Sequence, residues 1–147
     1  GNGTEKIAPD DPRIAVMALC IQVMEADGEI LDSERRKVRS MIKEYYHLDD
    51  AAIGALIKAG ETAESQAIDF FRFTSDIKRH FSGEQRVDLV GMLWEIVYSD
   101  GKRSEMEDHV IWRIADLLGV SGRDRVLKRQ EAAAKLDVAE EPAQQEE

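Results

Sequence analysis

The Asp-Gly pair at positions 27 and 28 returns at 100 and 101, and its surroundings return with it. In that register ADGEILDSERRKVRSMI (26–42) falls on SDGKRSEMEDHVIWRIA (99–115), which lays Glu34 on Glu107, Val38 on Ile111 and Met41 on Ile114. Each copy reads as an apolar helix, an Asp-Gly corner, a short loop, a glutamate in the next first turn and an amphipathic helix. A unit repeated with its apolar register intact is the mark of an internal duplication. It restricts the chain to two similar helical halves that bury their apolar faces together.

Helix signals fill the space around the two corners. Asp11-Pro12 combines a capping residue with a proline at the first helical position, where the missing N–H costs nothing. The run IAVMALCIQVMEA from Ile14 is apolar on most sides, as a helix enclosed by neighbours must be. Asp27-Gly28 closes it, because glycine enters the left-handed conformation freely. Asp32 and Ser33 are capping types ahead of a helix carrying Val38, Met41, Ile42 and Tyr45. Leu48-Asp49 opens a third helix, with Ala52, Ile53, Leu56 and Ile57 on one stripe before Gly60. Residues 64–81 read as a fourth, turning Ile68, Phe71, Ile77 and Phe81 inward. Ser82 to Gln85 is a capping box before a fifth helix, which Asp100-Gly101 closes, and Ser104 to Glu107 is another before a sixth that Gly119 stops. Ser121 caps a last helix reaching about Leu136. The expectation is an all-α bundle of six or seven helices spanning 11–137, with a flexible segment at 1–10 and a disordered acidic tail at 138–147.

Thirty acidic against twenty basic residues give a net charge of −10. Nucleic-acid binding needs clustered Lys and Arg to neutralise phosphate, so it is not expected. No apolar run approaches the roughly 18 residues of a membrane span, and no secretory leader is visible. Cys20 is the only cysteine. Its apolar setting suits a packed thiol in a reducing, cytoplasmic compartment.

The doubled motif resembles the tellurite-resistance TerB-like domain family. The residues that carry the resemblance are Ala26-Asp27-Gly28 with Glu34, Leu93-Trp94-Glu95 through Ser99-Asp100-Gly101 with Glu107, and Leu117-Leu118-Gly119-Val120. It covers about Ile14 to Leu127. The resemblance implies an all-α bundle with pseudo-twofold related halves and a link to resistance against tellurite and other stresses. It further implies metal binding through acidic residues and work in membrane-associated assemblies with other proteins, at the inner face of the membrane.

Two readings compete for the corner carboxylates. Glu34 and Glu107 stand in first turns, where exposed N–H groups and the helix dipole favour an acid by about 0.3–1 kcal/mol. Asp27 and Asp100 suit turns, where a carboxylate bonds backbone two residues on. Capping alone therefore accounts for all four. Alternatively Asp27, Glu29, Asp32 and Glu34, joined by Asp100 and Glu107, supply oxygens to a divalent cation such as calcium or magnesium. Neither corner has the spacing of an EF-hand loop, and Lys102 and Arg103 bring positive charge to the second.

No catalytic apparatus can be assembled. His47, His80 and His109 do not group, and Ser33, Ser104 and Ser121 read as caps. Trp94 and Trp112 lie on apolar stripes and read as core. Phe70, Phe71 and Phe73 cannot all face one way, which leaves at least one as a partner contact. The expected function is a non-enzymatic binding or scaffold module of a tellurite or general stress response that holds a divalent cation. The alternative is a protein-interaction module whose Asp-Gly corners are purely structural.

Overall fold

The computed structural model describes residues 7–26, 28–67, 70–99 and 105–135, with the side chains of 105–107 excepted. Seven helices fill these ranges: α1 Pro12–Met24, α2 Asp32–Tyr45, α3 Asp50–Ser65, α4 Phe71–His80, α5 Gly83–Val97, α6 Glu105–Leu117 and α7 Gly122–Lys135. No strand occurs among the described residues. The all-α expectation holds.

Helix α1 is the axis of the bundle. Ala15 through Ile21, Val23 and Met24 are all buried, because α2, α3, α4, α5 and α6 surround it. Its start is fixed by Asp11, whose Oδ1 accepts the Arg13 N–H at 2.9 Å. The Arg13 guanidinium closes on the same carboxylate at 2.7 Å and holds the Asp11 carboxyl below its usual range. Helix α5 is packed against α1, α2, α6 and α7. Leu89, Val90, Leu93, Trp94, Ile96, Val97 and Tyr98 of this segment are buried.

Most helix ends follow the capping signals. Asp49 accepts from Ala52 N–H at 2.8 Å, and Ser121 Oγ accepts from Asp124 N–H at 3.1 Å. Ser82 and Gln85 complete a reciprocal box, each side chain taking the other's N–H at 3.1 and 2.8 Å. Gly28 and Gly119 adopt φ of +87° and +75°, the left-handed turn that a Cβ makes costly. The expected stop at Asp100-Gly101, the role of Ser104, Ile68 and the segments 1–6 and 136–147 lie outside the described residues.

Five expectations are corrected. Gly60 does not end α3. A Cβ at Gly60 would stand 2.8 Å from Met17 Cβ, so the glycine lets α3 lie close on α1 and the helix runs on to Ser65. The helix expected over 64–81 is two pieces, because α3 and α4 both pack on α1 and the chain must turn between them. Helix α2 is capped at Leu31, which places Asp32 and Ser33 inside its first turn. Trp112 is 54% exposed, with the Arg125 guanidinium 4.3 Å from its ring centre, so it is a surface residue and not core. Phe71, expected inward, is 62% exposed, because α4 starts at Phe71 and turns Phe73, Thr74 and Ile77 to the core instead.

Candidate functional site

The corner carboxylates do different jobs. Glu34 is only 2% exposed, and its Oε1 accepts the Leu31 N–H at 3.1 Å. Leucine offers no cap of its own, so Glu34 supplies the bond that starts α2. Asp32 is exposed at the first helical position, and Glu29 is exposed in the preceding loop. Asp27 and Asp100, and the side chain of Glu107, lie outside the described residues. Among the described residues no three His, Cys, Asp or Glu side chains gather as metal ligands. Glu29, Asp32 and Glu34 therefore do not form a ready site by themselves.

The groups that could serve as nucleophile or base stand on separate elements. Burial raises the Cys20 thiol to about 12, which keeps it protonated and inert at neutral pH. His47 adopts φ of +56° just beyond α2, and His80 Nδ1 lies 2.9 Å from the Asp76 carbonyl in the last turn of α4. His109 is exposed on α6. No nucleophile–base pair is present among these groups.

A cleft of about 390 Å³ opens between α1, α2 and α3. Its floor is apolar: Met17, Ile21 and Met24 from α1, Ile30 from the corner loop, Val38 from α2 and Ile57 from α3. The α2 wall carries Arg35, Arg36 and Arg39. The other wall carries Glu25 at the end of α1, with Glu61 and Glu64 on α3. Its volume falls at the low end of the ~300–1,000 Å³ that small-ligand sites occupy. Arg39 is tied to Asp50 at 3.4 Å, but Arg35 and Arg36 make no ion pair among the described residues.

Inside the glutamate wall, Glu64 is raised to about 7. Burial is the main cause, followed by a hydrogen bond with the Glu25 carboxyl and the charge that Glu25 carries. A like charge so close resists ionisation of Glu64 and adds to the effect of burial. Sequence reading does not find this pair. Glu25 and Glu64 sit on different helices, and only the packing of α3 along α1 joins them. The single available signal is the placement of both at helix ends, which many unrelated glutamates share.

No curated protein and no solved structure matches the chain. Residues 13–130, which run from the first turn of α1 well into α7, match the family model of the tellurite resistance protein TerB, and the chain belongs to that family.

Proposed function

We propose that this chain is a non-enzymatic interaction module of a tellurite or general stress response, and that it engages a protein partner through the cleft between α1, α2 and α3. The observation that carries the reading is the cleft's composition. An apolar floor supplies binding energy, and walls of opposite charge fix the orientation of whatever enters. The Asp-Gly corners serve the fold in this reading, in keeping with a Glu34 carboxylate turned onto its own backbone. Its setting is the cytoplasm, in assemblies at the inner face of the membrane. A photo-crosslinking residue at Arg36 should trap a partner in cells, whereas one at the exposed Gln130 on α7 should not. Equal yields from the two positions, or none from Arg36, would overturn the proposal.

A second reading is favoured by the Glu25–Glu64 pair. Glu64, raised beside Glu25, can exchange its proton for calcium or magnesium. Asp27 and Glu29 follow Glu25 in the sequence by two and four residues and are the further carboxylates this reading would recruit. Calorimetric titration of chelator-treated protein with Ca²⁺, Mg²⁺, Mn²⁺ and Zn²⁺ tests this reading. Heat that disappears in Asp27→Asn and Glu64→Gln supports a cation module, and silence with all four ions removes it.

A further inference from the structure

The second half shows what the open cleft of the first half lacks. The register that lays Asp27 on Asp100 also lays Met24, the last residue of α1, on Val97, the last of α5. It lays Asp32, the first residue of α2, on Glu105, the first of α6. In this register Ile21 and Glu25 of the cleft correspond to Trp94 and Tyr98. Both aromatics are buried, with rings 6.0 Å apart in a stack. Arg129 of α7 donates from Nε to Tyr98 Oη at 3.1 Å and holds its guanidinium 5.7 Å from the Trp94 ring centre. One half thus fills these positions with aromatic rings under an arginine, while the other presents an isoleucine, a glutamate and an open cleft.

We infer that the cleft receives an aromatic side chain from a partner protein segment, followed by acidic residues that meet Arg35 and Arg36. Met17, Ile21 and Ile57 supply the apolar bed for the ring. Arg35 and Arg36, exposed and without ion-pair partners among the described residues, supply the cation above it and the counter-charge beside it. Among the described residues the chain already uses this chemistry three times, with Arg13 on Tyr46, Arg129 on Trp94 and Arg125 on Trp112. Because the chain as a whole carries a net charge of −10, an acidic segment gains at the arginine wall an attraction that the average surface does not offer. The inference rests on the cleft being the binding surface and adds the chemistry of its occupant.

Backbone amide shifts of the ¹⁵N-labelled full chain test it with three peptides: acetyl-Trp-Glu-Glu-amide, acetyl-Leu-Glu-Glu-amide and acetyl-Trp-Lys-Lys-amide. The first should give saturable shifts at Ile21, Ile30, Val38 and Ile57, and bind roughly three- to tenfold tighter than either of the others. Glu25→Tyr places the second half's aromatic at an exposed position, so it should fold and weaken binding by a similar factor. Arg35→Glu combined with Arg36→Glu should do the same through charge. Equal binding of the leucine peptide overturns the aromatic anchor, and equal binding of the lysine peptide overturns the acidic flank. Either result leaves the cleft standing as a binding surface. No saturable shift from any peptide overturns the cleft as well. Shifts at these residues on concentrating the chain without peptide would make a second copy the occupant, with its exposed Trp112, and overturn a separate partner.

Discussion

Replacing Glu34 separates the two accounts of the corner, because alanine and glutamine remove different things. Glu34→Ala deletes the acceptor for the Leu31 N–H and empties a buried position. Losing a cap of this kind costs about 1–2 kcal/mol, and losing the charge at a helix start adds roughly 0.3–1 kcal/mol. Glu34→Gln keeps an acceptor oxygen in place and loses only the charge, so its cost is about 0.3–1 kcal/mol. For a chain of this length each kcal/mol shifts the melting midpoint by roughly 2–4 °C. Thermal melts followed by circular dichroism should therefore drop by about 3–10 °C for the alanine variant and about 1–4 °C for the glutamine variant. Adding Ca²⁺ or Mg²⁺ should leave the gap between the two variants unchanged. If Glu34 instead holds a cation, the ion raises the midpoint of the natural chain by mass action and glutamine forfeits that rise. A glutamine variant as damaged as alanine, or an ion-dependent midpoint that glutamine abolishes, would refute the capping argument.

Gly60→Ala gains up to about 1 kcal/mol of helix propensity but drives a methyl into the buried Met17, an overpacking worth about 1–3 kcal/mol. A net loss should appear as a lower urea midpoint, and a stabilised variant would show that α3 can shift away from α1. The raised Glu64 carboxyl makes the folded chain hold a proton that the unfolded chain releases near pH 4.5, so this group stabilises fully below that pH. Its contribution declines as pH rises through about 7. Glu64→Gln should flatten this decline in urea midpoints measured between pH 5 and 8, and unchanged steepness would argue against the raised Glu64 carboxyl. Cys20 should resist thiol reagents in the folded chain and react fully in denaturant, since it is buried and its thiol is raised to about 12. Labelling at native conditions on the timescale of a free thiol would contradict that environment.

Local chemistry made much of the fold readable from sequence. Asp11, Asp49, Ser82 with Gln85, Ser121 and the left-handed Gly28 and Gly119 act within a few residues of themselves, and their structural outcomes match the signals. Gly60 misleads because its reason for being glycine lies on another helix, in the side chain of Met17. The division between α3 and α4 was hidden for the same cause: apolar spacing continues through 64–81, while the need to double back onto α1 is tertiary. Trp112 occupies an apolar stripe by spacing, but α6 turns that position outward under Arg125. The cleft was least legible of all. Ile21, Arg36, Ile57 and Glu64 come from three helices, and nothing local marks their convergence.

The enclosure of α1 has a consequence for how the molecule comes apart. This helix packs against α3 and α4 and also against α5 and α6, so neither pair of helices can open without stripping it. The helices on either side of α1 thus share one seam and should unfold as a single cooperative unit. Helix α7, whose one fully buried residue is Ala132, hangs at the opposite extreme. Amides of α1 should therefore exchange with solvent hydrogen only in global unfolding, and those of α7 sooner. The cleft's α1 floor belongs to the most persistent part of the chain, so a ligand there meets a surface already in shape.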